Sequence, residues 1–345
     1  MFEVLLSLCL IGDPAACRTE RLTGGAERST CEALASEAAM RVVAAGAAMP
    51  QAWPCVPAGG MPAFTLTKVA DGVYVHKGAH AESNRQNRGD IANLGLVIGE
   101  RSVAVIDAGG SAQVARDFLA AIRLLTDKPV SHAVITHMHP DHALGASVFA
   151  EVGAEIVGHA RLPRALGARA ANYLEAAERL MGPAFAGTAI AIPTITVEDR
   201  MEIDLGGRVL TLEAHPTAHT DNDLTVWDAE TGTWFLGDLL FLGHLPVVDG
   251  SLLGWLALDT SLADRDAARV VPGHGPVIVP WPEGGEAQRG YLQALANDAR
   301  EAVASGQSIG DAAATVGREA AANWLLIEIF ASRNALTAYK ELEWE

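Results

Sequence analysis

The chain has 345 residues, half of them apolar, with a formal net charge of −17 and an isoelectric point near 5.0. That is enough apolar sequence for one large core or two ordinary ones. The acidic balance argues against a nucleic-acid partner, whose phosphates need a basic surface, and no apolar run approaches the roughly 20 residues of a membrane span.

Residues 1–11 are apolar but make a poor signal peptide, with no positive start and no clear cleavage site. They read equally well as a strand, and the numbering is expected to begin near the mature end of an exported protein or at a misassigned start. A loop through Asp13-Pro14 is expected next, then an Ala-rich helix over 32–48, then a Pro- and Gly-punctuated linker over 50–62. All four cysteines, Cys9, Cys17, Cys31 and Cys55, fall in this segment. An even number confined to one short stretch predicts a disulfide-stapled module spanning 1–60, with three pairings open. Four unrelated thiols in a reducing cytoplasm are the alternative.

From residue 61 to 345 the pattern predicts a second, larger domain. Val73–His76, Leu94–Ile98 and Val103–Ile106 are short apolar strands, and Ala112–Leu125 has helical spacing at Val114, Phe118, Ala121, Ile122 and Leu125. Residues 133–136 and 155–158 read as strands, and 162–180 as a long helix able to fold over a site. Strands follow at 201–204, 209–213, Leu224–Asp228 and 233–236, the last two joined by a turn at 229–232. A short helix is expected at 262–268, a strand at 269–271, and helices at 286–305 and 319–330.

Periodicity alone gives a mixed α/β domain. The chemistry lies in His137-Met138-His139-Pro140-Asp141-His142, which follows the apolar run Ala133-Val134-Ile135. Such a loop aims His137 and His139 at one point and Asp141 and His142 at a neighbouring one, as two metal ions require. Imidazole and carboxylate suit zinc and its first-row neighbours. Downstream, His219, Asp238 in Leu236-Gly237-Asp238 and His274 in Gly273-His274-Gly275 each sit where an apolar run meets a turn.

In order and context these motifs resemble the metallo-β-lactamase superfamily of hydrolases, over about residues 64–279. The resemblance implies a four-layer αββα sandwich. It implies one metal on His137, His139 and His219, a second on Asp141, His142 and His274, and Asp238 bridging them. Two zinc ions per chain are the implied cofactor, with iron or manganese as alternatives. A metal-bound hydroxide would be the nucleophile, with Asp141 as the catalytic residue that orients it or passes its proton to the leaving group. An aspartate at 238, rather than cysteine or serine, is typical of the thioesterase-like and general hydrolase branches. The segment 239–255, the Cys-bearing start and the final Glu-Leu-Glu-Trp-Glu further resemble the quinoprotein relay system zinc metallohydrolases. That narrower likeness implies a periplasmic setting and a quinoprotein partner.

Asp107 and Asp223 are expected to orient ligands. His215 competes with His219 as ligand, but Pro216 between them removes any helical i,i+4 relation. His244 is a candidate pocket residue, and Tyr173 could reach a substrate. His76, His80, His132 and His159 read as structural or exposed. The function expected is hydrolysis of a small ester, thioester, lactone or amide. The alternatives are β-lactamase-like activity, persulfide-dioxygenase-like activity, or a metal-binding accessory protein without turnover.

Overall fold

The computed structural model describes residues 2–11, 13–25, 28–46, 48–52, 55–57 and 64–345. Phe2–Leu10 forms strand β1, and its alternate residues Val4, Leu6 and Leu8 are buried against Cys31, Ala35 and Ala39. Those three lie four apart on helix α1 (Arg28–Ala45), so a stripe of period two packs on one of period 3.6. Strands β2 (Asp13–Thr23), β3 (Ala48–Ala52) and β4 (Cys55–Pro57) pair antiparallel with β1. The loop expected at Asp13-Pro14 is therefore the start of a strand. β2 is outermost in the order β2-β1-β3, and a proline near the start of an edge strand is tolerated. Residues 50–52 and 55–57, expected as linker, and Ala48, expected as the last residue of the helix, are in strands because the second edge of β1 is long enough to pair with both; 53–54 and 58–62 of that linker lie outside the described residues. β2 also touches the 3-10 turn Gly182–Phe185.

The second sheet contains β5 (Thr67–Ala70), β6 (Val73–His76), β7 (Leu94–Ile98), β8 (Val103–Ile106), β9 (Val130–Ile135), β10 (Glu155–His159) and β11 (Ile195–Val197), in the order β11-β10-β9-β8-β7-β6-β5. Between its strands run α2 (Ala112–Leu125), α3 (Pro140–Ala143), α4 (Ala146–Glu151) and α5 (Leu162–Met181). The third sheet is β12 (Arg200–Asp204), β13 (Val209–Ala214), β14 (Leu224–Asp228), β15 (Thr233–Phe241) and β16 (Arg269–His274), in sequence order. Around it lie α6 (Leu252–Ala263), α7 (Glu286–Ala304), α8 (Ile309–Thr315), α9 (Arg318–Ala321) and α10 (Ile327–Leu342).

Alternation along the central strands explains the layering. In β8, Val103 and Val105 meet Phe118 and Ile122 of α2, whereas Ala104 and Ile106 turn to the other sheet and join Leu210, Leu212 and Val226. β9 does the same, with Ala133 and Ile135 outward and Val134 inward. Both faces are covered, so β8 is apolar throughout and β9 is apolar from Ala133 to Ile135. On the far side, Trp234 and Leu236 of β15 pack with Trp255, Leu292 and Leu295 of α6 and α7. The four layers are helix, sheet, sheet, helix, as the family resemblance implied. Arg208 crosses between the sheets, donating to the Asp228 carboxylate at 2.6 and 3.1 Å and to the carbonyls of Asp71 and Ile98.

Two expected helices shift. The one at 262–268 is the end of α6, which stops at Ala263 ahead of the strand at Arg269. The one at 319–330 is split: α9 ends at Ala321, and α10 starts after Leu326, whose φ of 60° turns the chain.

Candidate metal centre

The site forms at one end of the two inner sheets. β9 delivers Thr136 and His137 to its rim, and the short α3 swings Asp141 and His142 beside them. His219 stands in the turn between β13 and β14, and His274 closes β16. Asp238 lies within β15, where the pairing with β16 slips: Gly237 faces Pro272, but Phe241 faces His274. The slip bends the strand and turns Asp238 toward the histidines. Only glycine fits at 273, because a Cβ there would lie 2.0 Å from Asp238 Oδ1.

The seven residues singled out in the sequence form two groups. His137 Nε2, His139 Nδ1 and His219 Nε2 lie 2.9–3.3 Å from one another, and Asp238 Oδ2 is 3.6 Å from His137 and 3.4 Å from His219. His142 Nε2 and His274 Nε2 lie 3.5 and 3.3 Å from Asp141 Oδ2. Asp238 Oδ1 faces this second group, 3.2 Å from His142 and 3.4 Å from His274. One carboxylate therefore presents an oxygen to each group. His139 and Asp141 are partly open to solvent; the other five are buried.

Outer partners decide which ring nitrogen faces inward. His142 Nδ1 donates to Asp107 Oδ2 at 2.8 Å, His219 Nδ1 to the Val247 carbonyl at 2.7 Å, and His274 Nδ1 to the Ile91 carbonyl at 2.9 Å. His139 is reversed: its Nε2 donates to Asp249 Oδ2 at 3.0 Å, leaving Nδ1 inward. Thr136 donates its hydroxyl proton to Asp107, so its lone pair accepts from His137 Nδ1 at 3.0 Å. Carboxylates and carbonyls only accept, so the protons sit on the outer nitrogens. Five nitrogens then face inward without a proton of their own, those of the first group 2.9–3.3 Å apart with none to share between them. His142 Nε2 and Asp238 Oδ1 are buried without any hydrogen-bond partner. A cation satisfies all of them, and a zinc–nitrogen bond of about 2.0–2.1 Å suits such spacing. Electrostatics divide the two groups. Burial pushes His219 down to about 3, reinforced by His139, so the ring is a neutral donor. Burial would also lower His274, but Asp238 and Asp141 raise it to about 9, and a metal ion would feel the same negative field.

Asp107 takes the orienting place expected of it. It adopts φ of 61° and also accepts from the Thr136 backbone N–H. Asp223 touches no ligand ring; it accepts from Thr220 N and Oγ1 and braces the turn carrying His219. His215 bonds to Thr225 and stands apart from the centre. His244 does reach the pocket, its ring 4.4 Å from that of His274. His76 is structural, held by Asp90 and the Thr65 carbonyl.

Sequence reasoning passed over Asp249, although Val247-Val248-Asp249-Gly250 places an acid before a glycine at the end of an apolar run, as Val105-Ile106-Asp107-Ala108-Gly109 does. Above the two groups opens a cavity of about 380 Å³. Its floor includes Asp141, Asp238 and His274, and its walls are mostly apolar, with Tyr173, Ala177, Met181, Phe241 and Phe330 among them.

The sequence model of the Metallo-beta-lactamase superfamily matches residues 87–274. The acyl-coenzyme A thioesterase MBLAC2 of Gallus gallus is 29% identical over 211 residues, covering 54% of this chain and 73% of the relative. Its Homo sapiens counterpart is 27% identical over 238 residues, covering 61% and 81%. Among solved structures, a metallo-beta-lactamase from Pontibacter korlensis aligns with a TM-score of 0.54 at 20% identity, over 67% of this chain and 99% of the other. The stereoselective inverting sec-alkylsulfatase Pisa1 from Pseudomonas sp. gives 0.62 at 16% identity, over 80% and 50%. At those identities the structural likeness speaks for the fold.

Proposed function

Because the chain belongs to the metallo-beta-lactamase superfamily, we propose that it is a hydrolase with two divalent ions, zinc first among the candidates, acting on a small thioester in preference to an ester, lactone or amide. The observation that carries this reading is Asp238, turning one carboxylate oxygen to each donor group at the floor of a largely apolar cavity. His137, His139 and His219 would hold one ion, and Asp141, His142 and His274 the other. Ions held there supply Lewis acidity toward a carbonyl and lower the pKa of water from about 16 to about 7. The thioester preference is supported by relatives that carry the name acyl-coenzyme A thioesterase.

The protein's own groups do the rest. Asp141 borders the cavity and is the group that takes the proton of the attacking water and returns it to the leaving group. Burial pushes Tyr173 up to about 12, so at the cavity wall it stays a neutral hydroxyl donor. Met181, Phe241 and Phe330 exclude bulk water and strengthen the polar interactions beneath them.

The test is metal analysis of protein purified without chelator, paired with thioester, ester, lactone and β-lactam substrates. The expected outcome is about two ions per chain, with thioester turnover that chelation abolishes and zinc restores. One ion in fully loaded protein, unchanged in Asp238→Ala, would sink the two-ion reading. A loaded protein inert to the whole panel would sink hydrolysis.

The narrower likeness supports a place in the periplasm beside a quinoprotein dehydrogenase, with residues 1–60 as a separate disulfide-stapled module. Pairing register supports the staple: Cys9 faces Cys17 across β1 and β2.

A further inference from the structure

The two donor groups are braced from different parts of the chain. His142 and His274 are oriented by Asp107, which follows β8, and by the carbonyl of Ile91. His139 and His219 are oriented by a single segment, through the Asp249 carboxylate and the Val247 carbonyl. That segment belongs to no strand or helix until Leu252, where α6 begins. It is gripped by α10, which lies beyond the residues matched by the superfamily.

The grip has three points on one helix face. Asn334, fully buried, accepts from Val248 N at 3.0 Å and donates to the Pro246 carbonyl at 2.6 Å. A second hydrogen bond from its amide reaches Tyr291 of α7 at 2.9 Å and fixes its orientation. Arg333 reaches Asp249 Oδ1 at 3.1 Å, on the carboxylate whose other oxygen holds His139. Two turns further on, Glu341 accepts from Ser251 Oγ and from Leu252 N. Ahead of the helix, Leu325 exchanges backbone hydrogen bonds with Gly243 and Leu245.

We propose that α10 is a positioning element for the group His137, His139 and His219: Asn334 and Arg333 set the 246–252 segment, and its Val247 carbonyl and Asp249 carboxylate select the nitrogen each imidazole turns inward. His139 depends on this most. Of the five rings it alone presents Nδ1, and the acceptor at Asp249 is what keeps the proton on Nε2. The inference rests on the two-ion centre proposed above, and it predicts an asymmetry: disturbing α10 loosens one ion and spares the other.

The experiment is a zinc titration of the full chain carrying 15N-labelled histidine, with each ring nitrogen followed by NMR. In the unaltered protein His139 should show the Nε2–H tautomer and the other four rings the Nδ1–H tautomer. Asn334→Ala should weaken zinc at the His139 group about tenfold, the lower end for loss of an orienting contact, and mix the His139 tautomers. Zinc at His142 and His274 should change by less than about twofold. Because Asn334→Ala strips partners from buried backbone groups, half-exposed Arg333→Ala provides a second arm, with the same asymmetry and recovery in Arg333→Lys. Equal weakening of both groups, or Arg333→Ala with unchanged affinity and tautomers, overturns the proposal. An unaltered chain that binds no zinc overturns the centre and this inference together.

Discussion

Gly273→Ala puts the bridging role of Asp238 to its sharpest test. A Cβ at this position would lie 2.0 Å from Asp238 Oδ1, 2.7 Å from the Gly237 carbonyl carbon and 2.9 Å from Asp238 N. Two of those atoms are backbone of the strand, so the pairing of β15 with β16 must shift as well. Ordinary contact begins near 3.4 Å, so the oxygen must retreat by about 1.4 Å. It starts 3.2 Å from His142 Nε2 and 3.4 Å from His274 Nε2. A metal–ligand distance tolerates about 0.2 Å, so the retreat removes this oxygen from the second group while Oδ2 can still serve the first. Metal analysis should fall from about two ions per chain toward one. Turnover should drop by about a hundredfold or more, the cost of an ångström-scale misplacement. Thermal melting of chelated protein measures the cost of the backbone clash by itself, so a loss of metal and turnover beyond that cost belongs to the displaced carboxylate. A Gly273→Ala protein with two ions and full turnover would refute the assignment of Asp238 as the bridge.

His139→Ala should lower metal content and abolish hydrolysis together, whereas Asp141→Asn should lose far more activity than metal; full activity in either would contradict the site assignment. Arg208→Ala leaves Asp228 buried without its partner and should cost about 3–5 kcal/mol in denaturant unfolding; a loss under about 1 kcal/mol would show that the pair is dispensable. Removing residues 1–57 takes away no donor and should leave zinc binding intact, with failure to fold as the contrary result. Denatured protein purified without reductant should show no free thiol, against four if the cysteines are unpaired.

The inward-facing residues were legible because each sits beside an apolar run and a turn, a local pattern. His137 to His142, His219, Asp238 and His274 converge as their motifs suggested. What surrounds them is not local. Asn334 and Arg333 look like ordinary residues of an amphipathic helix, and only the fold brings them against 246–252. Asp223 shows how the two expected modes of orientation differ: it holds no histidine ring, and its carboxylate instead accepts from the Thr220 hydroxyl and N–H and braces the loop beside His219. β2 escaped recognition because Pro14 and the polar residues of 18–21 suit an exposed edge. Periodicity made the mixed α/β class readable, the four layers were implied by the family resemblance alone, and the assignment of each strand face to helix or partner sheet needed the register.

The arrangement of donors also makes the centre a clasp. His137, His139, Asp141 and His142 ride on the sheet that contains β9, while His219, Asp238 and His274 ride on the one that contains β15. Any ion held by either group is a crosslink between the two inner layers, closing chain loops of some 80 to 140 residues at the open end of the sandwich. In metal-loaded protein the layers could not part there without releasing an ion, so the opening of the sandwich sets a floor under the rate at which a chelator removes it.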